Sequence, residues 1–493
     1  MRFRLTAILT VLFLITFLLT KFATAQVSFS FTHYGPDTPV DGVVTGDFNR
    51  DGKPDIAVVD GQTGGNPPEV TVFLATTPGH YPATGTSYPV HDFPAQIRTA
   101  DVNNDGKLDL VIAFSSSTPT ISLLLGNGDG TFTPGPDVTT AHAVGGFDLG
   151  DFNHDGKIDM AVIECDSNDV CDMQAYLGTG TGAFSPGYKI QMTGQALDIS
   201  AQDLNGNGNL DLILIRTNSV LIFGGDGTGR FPVFTKFTPP AHCTDPNVCT
   251  DSLDSVAVAD FNNDARLDFA VLQSHDCSSP PCGDNTVYVY KNNGSYSFVL
   301  ANHFQIGNTA GGRLLAADLN GDQNIDLLGY YQFFRSPWIT LERGSGNFTF
   351  AVESTNLPGA DPAQIIARDL NLDSRHDAIV ADNGPNDNSM IVALNTNAFT
   401  NCAPPSSANL AAKICGPVAS ASVTSPVLVK ASGNSPAGLQ RLEIWIDGVK
   451  KYEKWNDQVA KKFTLATGSH RIAVVAVDMY KGTAKTTVTV NVH

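Results

Sequence analysis

The stretch GDFNRDGKPDIAVV, residues 46–59, places oxygen-bearing side chains at alternate positions: Asp47, Asn49 and Asp51, then Asp55, with glycine at 52. Alternate spacing turns those side chains inward along a tight loop. The backbone carbonyl of Lys53, at the seventh position, adds another oxygen, and Gly52 at the sixth permits the bend. Oxygen donors without nitrogen or sulfur suit a hard divalent cation. Ca2+ is favoured over transition metals, and the flexible cage disfavours Mg2+. The helical EF-hand starts alike but needs glutamate at position twelve; here Val58 stands there, inside an apolar run. The alternative is an aspartate- and asparagine-rich turn that bonds its own backbone and holds no ion.

Six further copies follow, their first aspartates 50 to 58 residues apart. They comprise Asp101, Asn103, Asp105, Lys107 and Asp109; Asp151, Asn153, Asp155, Lys157 and Asp159; and Asp203, Asn205, Asn207, Asn209 and Asp211. The last three are Asp260, Asn262, Asp264, Arg266 and Asp268; Asp318, Asn320, Asp322, Asn324 and Asp326; and Asp369, Asn371, Asp373, Arg375 and Asp377. In every copy the seventh residue contributes its carbonyl. Position five of the fourth copy is Asn207, which removes a charge, and the sixth-position glycine gives way to Ala265, Gln323 and Ser374. Copies one to three are therefore expected to hold calcium best.

The elements that must position these loops are strands. Each loop follows a short apolar or small-residue run and leads into another, such as DIAVV, LDLVIAF or LDFAVL. A second hairpin with Gly/Asn turns comes next, as in LLLGNGDGTFTPG and AYLGTGTGAFSPG. No window keeps a helical stripe between these breakers. Four strands per repeat, seven times over, predict an all-β chain: a seven-bladed β-propeller over 26–400. Residues 27–33 are expected to complete the last blade beside MIVALN (390–395), because the ring otherwise keeps an open edge.

These motifs resemble the FG-GAP or VCBS repeat proteins, whose propeller is that of the integrin α-subunit head. The likeness runs from residue 27 to about 400, with the FG-GAP words reduced to GTF, GAF and GRF. It implies structural calcium, up to seven ions, in loops joining the first two strands of each blade. Residues 418–493 read as a small β-sandwich that resembles bacterial Ig-like domains, with Asp447-Gly448 as a hairpin turn. Trp445, Tyr452 and Trp455 there are either a sugar platform or cross-strand packing.

Residues 1–25 read as a signal peptide: Arg2 and Arg4, an apolar run from Leu5 to Leu19, and Ala23-Thr24-Ala25 as the cleavage pattern. An uncleaved anchor is the alternative, although the run is short for a span. Export, secreted or surface-held, makes the eight cysteines disulfide candidates: Cys165/Cys171, Cys243/Cys249, Cys277/Cys282 and Cys402/Cys415. The last pair would staple a linker at 401–417. Zinc lacks its usual spacing. Residues 26–415 hold 17 Lys+Arg against 44 Asp+Glu, and residues 416–493 hold 10 against 5. That acidity disfavours nucleic acid, and bound cations would absorb part of it.

Loops between second and third strands, and between blades, belong at the end of the ring away from the carboxylate loops. The cysteine-bearing loops crown that rim, together with QFFRSPW, whose Phe333, Phe334 and Trp338 are candidate ligand contacts or inter-blade packing. The chain carries neither a His-Glu-x-x-His motif nor a Gly-x-Ser-x-Gly elbow. A binding or adhesion protein for a glycan or protein ligand is the leading reading. A polysaccharide-active lyase or glycosidase on the same frame is the alternative.

Overall fold

The computed structural model describes residues 27–35, 40–60, 68–114, 120–168, 170–192, 194–241, 249–277, 285–306, 312–320, 324–330, 339–353, 362–373, 375–382, 390–396, 410–417, 421–435, 439–454, 458–478 and 482–493. The leader, Cys243, Cys282, Asp322, Gln323, Phe333, Phe334, Trp338, Ser374, Cys402 and Trp455 lie outside them.

Every described element is a strand. The runs after the loops form second strands because nearly every residue is apolar: in Asp109–Phe114 all six side chains are buried. A strand covered on both faces suits the middle of a sheet stacked between sheets. Seven antiparallel sheets result, all but the last taking their strands in chain order. They serve here as blades one to seven, with inner strands Val40–Gly46, Pro94–Ala100, Ala143–Gly150, Ala196–Gln202, Cys249–Ala259, Arg313–Ala317 and Pro362–Arg368. Each inner strand contacts the next, and the seventh contacts the first. The ring is closed. Its final sheet is completed by Phe29–Tyr34, antiparallel to Met390–Asn395 with Phe29 opposite Asn395, as the open-edge argument expects.

The cores lie between blades. Phe152, Ile163 and Met173 of blade three pack with Leu214 and Phe223 of blade four, while Tyr34, Val58 and Phe73 pack with Ile379 and Met390 where the ring closes. Six inner strands also carry one extra residue: Asp41, Ala95, Gly145, Leu197, Asp254 and Ala363. These bulges re-aim neighbouring polar groups toward the axis. There Gln364 Oε1 accepts Val43 N–H at 2.8 Å, Asp148 Oδ2 accepts Ala201 N–H at 2.9 Å and Ser255 Oγ accepts Leu314 N–H at 3.1 Å. Each bond runs from one blade to the next.

The carboxy-terminal strands make a three-stranded and a five-stranded sheet. Val429, Leu442, Ile444, Ile472 and Val474 are among the residues packed between them, so this is a sandwich. It takes in more chain than expected. Ala411–Gly416, inside the stretch read as linker, pairs with Val427–Asn434, because Leu410, Ala412 and Ile414 alternate onto the core. Asp447 and Gly448 adopt φ of 51° and 82°, the left-handed pair that a tight hairpin turn requires. Trp445 and Tyr452 do not share a face: Tyr452 packs on the core, whereas Trp445 donates Nε1–H to Glu443 at 3.0 Å.

Candidate functional site: the carboxylate loops

The loops join first and second strands in all seven blades. Their hydrogen bonds separate an exposed lip from a buried floor.

At the lip of the first loop, Asp47 Oδ1 accepts Asp51 N–H and Oδ2 accepts Gly52 N–H, both at 2.9 Å. Asn49 Oδ1 takes Asp51 N–H at 3.0 Å, and Asp51 Oδ1 takes Lys53 N–H at 3.0 Å. The same four bonds recur in the loops at 101, 151, 203 and 260. Sequence reasoning placed strain at the sixth position, and Ala265 does stand at φ 68°. It missed the fourth: Arg50, Asn104, His154, Asn263 and Leu372 all have φ near 60°. The sequence points to lysine only for its carbonyl, yet the ammonium groups of Lys53, Lys107 and Lys157 sit 2.5 to 3.1 Å from the fifth-position carboxylates. Beside Lys107 the Asp105 carboxyl is held below its usual range.

The floor is the ninth aspartate. Asp55, Asp109, Asp159, Asp211, Asp268, Asp326 and Asp377 are all fully buried. Asp55 Oδ2 accepts Phe48 N–H at 2.9 Å, at the loop's start, and Oδ1 accepts Ala75 N–H at 2.7 Å, after the third strand. The other six do the same, with Val102 and Gly126, Phe152 and Gly178, Leu204 and Gly225, Phe261 and Asn292, Leu319 and Gly344, and Leu370 and Asn395 as donors. Burial pushes Asp55 and Asp268 up to about 6 and Asp377 up to about 7. Each thus pins three parts of one blade.

The lip also holds the next blade. Gly130, Gly182 and Gly229 donate N–H to the second-position carbonyls of Phe48, Val102 and Phe152 at 2.9 to 3.2 Å. Blades five and seven have no such glycine, and there Asn292 and Asn395 reach Leu204 and Leu319 through Nδ2 at 2.5 Å. The residual GTF and GRF words have a second use: Phe132 and Phe231 meet Phe48 and Phe152 edge to face at about 5.5 Å.

The donor chemistry fits a hard cation. Carboxylate and carboxamide oxygens keep a second lone pair after accepting one N–H, and the N–H bonds fix their directions. Asparagine and backbone oxygens are needed to complete any cage, since among the described residues no three His, Cys, Asp or Glu side chains close on one point. The fourth loop differs. Tyr296 of blade five donates its hydroxyl to Asp211 Oδ1 at 2.7 Å and meets Asn205 Nδ2, so a phenol occupies the space between the third and ninth positions.

The opposite rim carries the Cys165–Cys171 disulfide, between the second and third strands of blade three as expected. Cys415 is disulfide-bonded. Cys249 and Cys277 stand opposite one another in register. Beneath that end of blade five, His275 Nδ1 lies 2.6 Å from Asp251 Oδ1 and Nε2 lies 3.3 Å from Thr286 Oγ1. The order imitates a nucleophile relay, but His275 and Thr286 are only 3% and 4% exposed, so the hydroxyl does not meet solvent.

Together the ring of sheets and the recurring loops define a β-propeller built from sequence repeats. Residues 47–112, 101–162, 151–214 and 203–271 match the family model of the FG-GAP-like repeat, so this stretch of the ring is built from FG-GAP-like repeats. No curated protein matches it. Among solved structures it is similar to an Agrocybe aegerita lectin described as recognising non-reducing terminal N-acetylglucosamine. That pair is 16% identical, with a TM-score of 0.41, over 90% of this chain and 98% of that one. A Lactobacillus plantarum protein is 12% identical, with a TM-score of 0.43, over 64% and 84%.

Proposed function

We propose that the chain is an exported, calcium-stabilised binding protein whose propeller presents loops and walls to an extracellular glycan or protein. The observation that carries this reading is how the loops use their carboxylates. Lip and floor oxygens accept backbone N–H groups of their own blade, an arrangement that shapes a frame and leaves their remaining lone pairs for an ion. Positions one, three, five, seven and nine of the seven loops would hold the ions, and bound Ca2+ would add rigidity and neutralise acidic charge. The sandwich would serve as spacer or second contact. No helix among the described residues is long and apolar enough to cross a membrane.

A glycan array probed in millimolar Ca2+, run beside a turnover assay on polysaccharide mixtures, tests the proposal. Saturable binding without product is expected. Product release at a rate that a carboxylate variant abolishes would instead favour the polysaccharide-active enzyme.

A further inference from the structure

A groove runs between the outer part of blade three and blade four. It encloses about 370 Å3, at the small end of ligand sites. Tyr188 of blade three lines one wall, and Phe223 and Phe234 of blade four line the other. Phe234 is 56% exposed although it is a large apolar side chain, and its ring leans on Phe223 at 5.2 Å between centroids. Arg216 and Lys236 stand at the rim.

Two cations thus meet at one groove in a chain of net charge −19. Nearby Lys189 is neutralised by Asp172 at 2.8 Å, and at the axis Arg98 and Arg313 face Asp148 and Asp198 at 3.4 and 3.6 Å. Arg216 and Lys236 make no ion pair among the described residues; Arg216 Nε reaches only the Gln195 carbonyl, at 3.4 Å. Leaving cations unpaired beside exposed rings is complementary to a ligand with one apolar face and a negative group. The groove is open along its outer strand, which suits a flat ring laid against Phe234 better than an acyl chain needing enclosure.

We infer that this groove is a binding site for an acidic saccharide: a uronate ring stacks on Phe234 while its carboxylate meets Arg216 and Lys236. The inference rests on the glycan-binding reading above and moves the contact from the disulfide-tied rim to the outer wall.

The test is calorimetric titration of the full chain with trigalacturonate and with its methyl ester. The acid should bind about tenfold tighter than the ester, and Arg216→Gln, Lys236→Gln and Phe234→Ala should each weaken the acid by about tenfold. Melting temperatures should stay unchanged, since Phe234 and Lys236 are exposed. Equal affinity for acid and ester overturns the inference, as does indifference to Phe234→Ala and Arg216→Gln. Dodecanoate binding that depends on Phe234, with no saccharide binding, overturns it in favour of an acyl ligand. If neutral glycans bind and the groove variants leave them untouched, this site falls while the general reading stands. If no glycan of either kind binds, the groove falls together with the glycan branch of that reading.

Discussion

The lip and the floor of each loop are a few residues apart and follow different rules. At the floor all seven aspartates are buried and all seven accept the same two backbone N–H groups. At the lip the fifth residue is aspartate or asparagine, the fourth ranges from Arg50 to Leu372, and Lys, Asn or Arg occupies the seventh. The difference teaches that the fold draws on every floor aspartate for its backbone bonds, whereas the lip tolerates changes of charge and backbone conformation.

That separation can be broken from either side. The largest effect should come from chelation. If loops one to three are filled at about 100 times their dissociation constant, each adds roughly 2.7 kcal/mol, so excess chelator should lower the melting temperature by about ten degrees. An unchanged melt would sink the calcium proposal and leave the floor standing. Next is Asp159→Ala, which strands the N–H groups of Phe152 and Gly178 in a dry site. A loss of about 3–5 kcal/mol in denaturant unfolding is expected in chelator, and the increment from added Ca2+ should fall as well, because the ninth position is among the proposed ligands. Asp155→Asn at the lip should do the reverse, leaving the chelated protein within about 0.5 kcal/mol and reducing only the calcium-dependent increment.

Smaller changes sharpen the contrast. Ala265→Gly relieves a left-handed alanine and should stabilise the chelated chain by about 1 kcal/mol. Asp254, at an axial bulge away from the loops, has its carboxyl pushed up to about 6 by burial. A carboxyl raised in the fold binds protons more readily there than in the unfolded chain, so its burial costs stability above pH 6 and the cost fades toward pH 4. Asp254→Asn should therefore gain about 1 kcal/mol at pH 7.5 and nothing at pH 4, read from paired melts.

Much of this was legible in the sequence because repetition multiplies a weak signal. Seven spaced copies of one aspartate pattern gave the sheets, the strand order and the closing pair, Phe29–Tyr34 on Met390–Asn395. The floor was half legible: the ninth aspartate stood out, but its acceptance of Ala75 or Gly178 N–H depends on where a third strand ends in space. The Tyr296 insertion was invisible, because it joins residues 85 and 91 positions apart across two blades. The groove was missed for a related reason. Tyr188, Phe223 and Phe234 lie in three separate strands, and only stacking of two blades brings them to one cleft.

The seam between Phe29–Tyr34 and Met390–Asn395 sets the timetable of folding. This strand is made before its partner, which follows more than 350 residues later, so its buried residues, Phe29 on one face and Tyr34 on the other, must wait. Loop closure over such a distance is slow, and a ring with a vacant last place offers neighbouring molecules a free edge. Misassembly by strand exchange between copies is the natural hazard of this design.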